Sequence, residues 1–324
     1  MAKKDPFKLY GVKSFEDAAA YAKQNFADTG GIILARNLEH VSAEIFTQEY
    51  PDLTFLNQGI EVNNEGGYAT SIRKLKLAVE GAFRESGTNT NTNGKITLRG
   101  EDDTIPVFTM EASSDWSEVE LKQAELENVN LPSRFLEGHS EVYNRHIDTL
   151  GYLGHTRTDG TQKTTGLLNM GWGNDAATGL ATALTGQQLY DDIADLINAQ
   201  WAGVLNVSTY MADRVVMPAS VYNTCTSKIL NSNGSEMNVM QALRANFPTV
   251  TFGLTTKAEN AGQGGASITV AFSSNRRAMQ MRIPVPLNIS SIDQRGFKYY
   301  VESYYGVAGL DVLESNVGRT LTGL

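Results

Sequence analysis

The chain has 324 residues, 41% apolar and 19% charged, with a formal net charge of −9 and a single cysteine. That length supplies a sizeable core for one large domain or two moderate ones, while the lone Cys225 excludes an intrachain disulfide framework and a cysteine-rich zinc site. No apolar run approaches the length of a bilayer span, residues 1–6 carry lysines without an apolar segment behind them, and Arg276-Arg277 is the only arginine pair, so neither a membrane anchor nor a tight grip on nucleic acid is expected.

Residues 1–55 read as an N-terminal arm. Ser14 and Asp17 form a weak capping signal before Phe15, Ala18, Ala19, Ala22 and Phe26, and a second helical pattern over 41–50 is stopped by Pro51. Residues 56–112 change character, with Gly59, Gly66, Gly67 and Gly81 punctuating polar segments. Ile72, Leu75, Leu77 and Val79 predict a strand over 71–83, and Ile96, Leu98, Ile105 and Val107 a second over 95–110. Between them, Gly87-Thr88-Asn89-Thr90-Asn91-Thr92-Asn93-Gly94 has no side chain able to anchor a core. Two strands joined by such a tip make a long hairpin, which is marginal in water unless it lies on a surface. Thr88, Asn89, Thr90, Asn91, Thr92, Asn93 and the adjacent Lys95 are therefore the expected contacts with another subunit. Glu101-Asp102-Asp103 are consecutive and point different ways, which suits a solvated turn rather than an acid/base pair or a calcium loop.

The segment 111–169 is the best defined. Ser117 and Glu120 form a capping box, opening a helix with Val119, Leu121, Ala124 and Leu126 that runs towards Asn128. Pro132 suits the first turn of a second helix. Phe135, Leu136, His139, Val142, Tyr143, His146, Ile147 and Leu150 then form the cleanest amphipathic stripe in the chain, with Gly151 as the expected C-terminal cap. His139 and His146, seven residues apart on that stripe, read as packed, hydrogen-bonded side chains rather than metal ligands; His155 sits in a turn and His40 is isolated. Residues 154–166 form a polar loop. Its stretch 159–166 has the composition of a phosphate loop, but it follows a helix where a phosphate loop precedes one. Gly166-Leu167-Leu168-Asn169 follows as a tight turn.

Thr185 and Gln188 form another capping box before a helix with Leu189, Ile193, Leu196, Ile197 and Trp201 on one face. A buried strand over 214–218 feeds a helix over 219–230 that contains Cys225, and a further helix over 237–246 ends before Pro248. Strands follow over 249–254, 267–272, 278–283, 297–305 and 307–313, with Gln263-Gly264-Gly265 expected to join the first two as a hairpin. Helices in the middle and strands at both ends give an α+β class. No nucleophile elbow is present, and Cys225 lacks a histidine at a telling position, so no catalytic, cofactor or metal site is expected.

Trp116-Ser117-Glu118-Val119-Glu120-Leu121, Tyr143-Asn144-Arg145-His146-Ile147-Asp148, Gly154, Gly166-Leu167-Leu168-Asn169 and the preceding Asp103-Thr104-Ile105-Pro106, together with the order of elements, resemble the major capsid protein of tailed bacteriophages. That fold is shared with encapsulin shells. The resemblance implies an N-arm over 1–55, an extended E-loop hairpin over 56–112 and a peripheral domain with a spine helix over 113–184. It implies an axial domain over 185–274 and strands returning to the peripheral domain over 275–324. Phe135, Leu136, Val142, Tyr143, Ile147 and Leu150 would then pack the spine, and Gly166, Leu167, Leu168 and Asn169 would be the family-marker turn. The implied function is structural: hexameric and pentameric capsomers of one chain in an icosahedral shell around a double-stranded DNA genome. Weak non-specific DNA contact, a portal and cement proteins are the implied partners, with no membrane and no cofactor. The implied location is the virion head, assembled in the bacterial host cytoplasm. An encapsulin-type compartment shell and a soluble α+β enzyme are the alternatives.

Overall fold

The structure, a computed structural model, describes residues 53–83, 95–127, 129–230 and 237–324, all within the unit Pro51–Leu324. Both helices expected in the arm, and Thr88–Asn93 of the hairpin tip, lie outside the described residues.

In chain order the strands are β1 (Val62–Asn63), β2 (Ser71–Gly81), β3 (Ile96–Pro106) and β4 (Phe108–Ser117), followed by helices α1 (Glu118–Leu126) and α2 (Leu131–Leu153). Then come β5 (Gly173–Ala176), α3 (Gly186–Gly203), β6 (Arg214–Pro218), α4 (Ala219–Ser227), α5 (Val239–Asn246) and β7 (Thr251–Thr255). The chain closes with β8 (Ile268–Phe272), β9 (Met279–Arg282), β10 (Val285–Ile289), β11 (Asp293–Arg295), β12 (Lys298–Val307), β13 (Gly309–Val312) and β14 (Gly318–Thr322).

Local chemistry accounts for the helix starts. Ser117 Oγ accepts from the Glu120 amide at 3.2 Å while Glu120 Oε2 accepts from the Ser117 amide at 2.8 Å. Thr185 with Gln188 and Asn238 with Gln241 make the same reciprocal box. The end of α2 is settled by tertiary contacts. Gly151, expected as its cap, is helical and buried, and Phe55 lies where a Cβ would stand, 2.4 Å from the ring. The helix runs on to Leu153 and stops at Gly154, whose φ of 73° suits a residue without a Cβ. Helix geometry leaves the last four carbonyls unpaired, and here all four are met. Gly154 N donates to Leu150 O at 2.8 Å, Leu167 N to Gly151 O at 2.8 Å and Leu168 N to Tyr152 O at 2.9 Å. Asn169 Nδ2 donates to Leu153 O at 2.7 Å, and its Oδ1 accepts from Gly166 N at 2.6 Å, closing the turn. Leu167 and Leu168 are buried behind it.

A five-stranded sheet runs β5-β14-β8-β6-β7, and alternate residues of β6 and β8 face opposite ways. Val215, Met217 and Ala271 join a core with α3, α4 and α5, whereas Val216, Val270 and Phe272 join a second core with Ile147, Leu150, Tyr152 and Leu167. In the second sheet β12 lies between β4, paired from Lys298↔Ser117 to Val307↔Phe108, and β10 with β11. β9 is flanked by β1 and β13, and β2 pairs with β3 alone.

Several expectations are corrected. Gln263-Gly264-Gly265 is no hairpin between β7 and β8, because β6 lies between them and pairs with β7 in parallel. Glu101-Asp102-Asp103 lie inside β3 rather than in a turn. The second hairpin strand breaks at Val107, and the chain continues as β4 in a different sheet. α1 buries none of its side chains, leaving Val119 and Leu126 exposed. Val142, expected in the α2 packing, is 49% exposed because it lies at the edge of the stripe, while Ile147 and Leu150 are buried. Phe135 stacks on Trp116 with ring centroids 4.8 Å apart, Tyr143 meets Tyr305 edge-on, and Leu136 is half-buried. The helix over 219–230 ends at Ser227, and β1, β5, β10, β11 and β14 were not expected.

A Cβ on Gly166 would lie 2.4 Å from Gly154 N and 2.5 Å from Leu153 N, whereas one on Gly138, within α2, meets nothing within 4 Å. Gly166→Ala is expected to destabilise the chain by about 3 kcal/mol through overpacking. Gly138→Ala should stabilise it by roughly 0.5–1 kcal/mol through helix propensity. Urea unfolding of the two variants beside the parent checks both signs.

Candidate assembly interface

β2 and β3 form a two-stranded ribbon with register from Ser71↔Pro106 to Gly81↔Ile96. Antiparallel pairing puts opposed residues on one face and alternates faces along each strand. Leu75, Leu77 and Val79 therefore share a face with Leu98 and Ile96, and these five side chains are 58–71% exposed. The opposite face carries Lys76, Glu80, Arg99 and Glu101, with Arg99 Nε 3.2 Å from Glu80 Oε2. The ribbon is thus amphipathic, and its apolar side has no partner among the described residues. Lys95, the described residue closest to the tip, is exposed.

At its base the ribbon meets the body. Lys74 is buried, with Nζ 2.5 Å from Asp311 Oδ1 and 3.2 Å from Asp103 Oδ2. Arg282 Nε lies 2.8 Å from Asp311 Oδ2, so one fully buried carboxylate joins two cations. A pocket of about 460 Å³ opens beside this cluster, with Lys163 and Gln162 from the polar loop on its far side. The sequence holds a signal for the cluster that its reading missed: Asp311 is a lone carboxylate within the apolar run Ala308-Gly309-Leu310-Asp311-Val312-Leu313, and such a charge needs a partner.

The body beneath is held by the stripe histidines. His139 Nε2 is 2.9 Å from Ser114 Oγ on β4, and Nδ1 is 2.7 Å from Ser303 Oγ on β12, so α2 is hydrogen-bonded to adjacent strands of one sheet. His146 Nδ1 bonds the Tyr305 hydroxyl. Both histidines are spent on packing. Cys225 is fully buried, and desolvation pushes its thiol up to about 12, which removes it as a nucleophile. Among the described residues no group of histidine, cysteine and carboxylate side chains is placed to hold a metal, and no helix is long and apolar enough to cross a membrane.

The sequence profile of a family described as major capsid protein matches residues 86–323. No curated protein matches the chain. Among solved structures, the capsid protein of the Myoviridae phage XM1 is similar at 72% identity and a TM-score of 0.83, over 91% of this chain and 100% of that one. A subunit of the native GTA particle capsid aligns at 15% identity and TM-score 0.65, over 91% and 97%. One from the capsid of cyanophage P-SCSP1u aligns at 12% and 0.60, over 99% of each chain. At such low identity the last two speak for the fold.

Burial pushes the His146 imidazole below the ordinary histidine range, and His155 adds to this; burial pushes the Tyr305 phenol up. The unfolded chain therefore takes up a proton at this histidine before the folded chain does. The resulting stability is fully present above the unfolded value of about 6.5 and is lost as pH falls below it. Thermal melts should show a lower midpoint at about pH 5.5 than at about pH 7.5, and His146→Gln should shrink that difference. An unchanged difference would place the sensitivity elsewhere.

Proposed function

The chain belongs to the major capsid protein family, and from that premise we propose that its ribbon closes the shell by lying, apolar side down, on a neighbouring copy. It is a tailed-phage major capsid protein and forms the capsid shell; an encapsulin compartment is not favoured. The observation that carries the ribbon's role is the row Leu75, Leu77, Val79, Leu98 and Ile96, exposed on a projection that is charged on its other face. Covering that row would contribute on the order of 5–10 kcal/mol before association costs, taking about 1.5–3 kcal/mol for full burial of each of the five side chains, scaled to the roughly two thirds of each that is still exposed. The charged face would remain in water, which keeps a long two-stranded edge from pairing at random.

On this reading the ribbon is the E-loop, with Thr88–Asn93 and Lys95 reaching the same neighbour. Residues 1–55 act as the N-arm, 113–184 and 275–324 as the peripheral domain around α2, and 185–274 as the axial domain at capsomer centres. Its contribution is architectural rather than catalytic. Hexameric and pentameric capsomers build the icosahedral head in the host cytoplasm, where portal and cement proteins would join the shell. The net charge of −9 supports weak, non-specific contact with packaged double-stranded DNA.

The paired substitution Leu77→Asp with Val79→Asp tests the docking face. Because both side chains are already exposed, the free subunit should keep its stability to within about 0.5 kcal/mol. Shell yield, read by sedimentation and negative-stain microscopy, should fall at least about tenfold, since two charges would be buried without partners. Shells at parental yield would show that the apolar face is not buried between copies.

A further inference from the structure

The ribbon leaves the body through a thin joint. Gly66 and Gly67 precede β2 at φ of 120° and 52°, and a single residue, Val107, separates β3 from β4. At the joint Val107 N donates to Thr70 O at 3.0 Å, tying the two legs of the ribbon to each other. Among the residues of β2 and β3, only Lys74 is buried. A lysine is the least expected residue for that position, since burying an ammonium is costly unless it is paired. Here it is paired with Asp311, on the strand next to β9, and with Asp103 across the ribbon. Arg282 holds the other oxygen of Asp311, so the acceptor is itself fixed.

We propose that Lys74 is a positioning residue for assembly: its buried pairing with Asp311 sets the direction in which the ribbon leaves the body, and so the curvature at which subunits join. The inference rests on the reading that the ribbon docks on a neighbour. An apolar anchor at this place could slide or rotate with little change in energy, because burial has no direction. A charge pair with a two-oxygen acceptor held by a second cation has one satisfied geometry. Buried ion pairs add little net stability compared with apolar replacements, and some act by specifying one arrangement over others. A small change in angle at Lys74 is multiplied along the seven residue pairs beyond it, from Leu75↔Asp102 to Gly81↔Ile96. A shell needs that angle to be reproducible in every copy.

The test uses the full chain expressed to form shells. Lys74→Met keeps the apolar stem of the side chain without its ammonium and leaves Asp311 paired with Arg282. It should yield soluble, helical subunits that still associate, with the fraction of closed shells of parental diameter reduced at least about fivefold in favour of open sheets or mixed sizes. Lys76→Met, two residues along the same face and only half-buried, is the control and should give parental shells. Lys74→Arg, which restores the charge, should recover most closed shells. Uniform closed shells of parental diameter from Lys74→Met would overturn the proposal. If Lys74→Met yields no soluble chain, Asp103→Asn decides: it removes only the outer partner of the lysine and should at least double the misshapen fraction, and an unchanged fraction overturns the proposal. The paired aspartates at Leu77 and Val79 separate the two readings. Parental shells from that pair sink the docking reading, whereas lost association there with normal closure in Lys74→Met sinks the positioning role alone.

Discussion

The satisfied C-terminus of α2 is the constraint on which the rest of the body depends. A helix that ends inside a protein exposes carbonyls that cost free energy if they stay unpaired. Gly154, Leu167, Leu168 and Asn169 meet the last four, and they do so by turning the chain back against the helix. That reversal requires two glycines, because Gly154 adopts positive φ and Gly166 approaches the helix end too closely for a Cβ. It also buries Leu167 and Leu168 in the core shared with one face of the five-stranded sheet. On the preceding turn Asp148 Oδ1 accepts from the amides of Thr54 and Phe55 at 2.9 Å each, so the chain entering the body is pinned to the same helix. The entering segment, the marker turn and the sheet all meet at this point.

From that fixed end α2 runs outward across β4 and β12, held by His139 to both strands and by Phe135 to Trp116. Apolar contact provides most of the favourable free energy here, and the polar groups choose the register. The ribbon follows the opposite logic. It has almost no burial of its own, an apolar face turned to water, and one charged anchor. A two-stranded element of this kind is marginal in water unless a surface covers it. The proposed role joins the two: a body rigid enough to be repeated, and a projection that we propose to dock on its neighbour.

Helix starts were legible because capping is local: Ser117 and Glu120, or Thr185 and Gln188, are three residues apart and settle the matter between them. The apolar row of the ribbon was legible by its alternation, although Ile72, read with it, belongs to the other face. The end of α2 was not legible, since Gly151 looks like a cap until Phe55 is placed against it. Nor was strand order, since β6 inserts between β7 and β8 through pairings that no short window contains. Lys74 was hidden for the same reason, its partner lying 237 residues away. What escaped the sequence is what long-range contact decides.

The most direct measurement is a cryo-electron microscopy reconstruction of the assembled shell at side-chain resolution. Leu75, Leu77, Val79, Leu98 and Ile96 should be covered by a neighbouring copy while Arg99 and Glu101 face solvent, with Lys74 still on Asp311. A ribbon whose apolar row faces solvent or the interior of the shell would contradict the docking role.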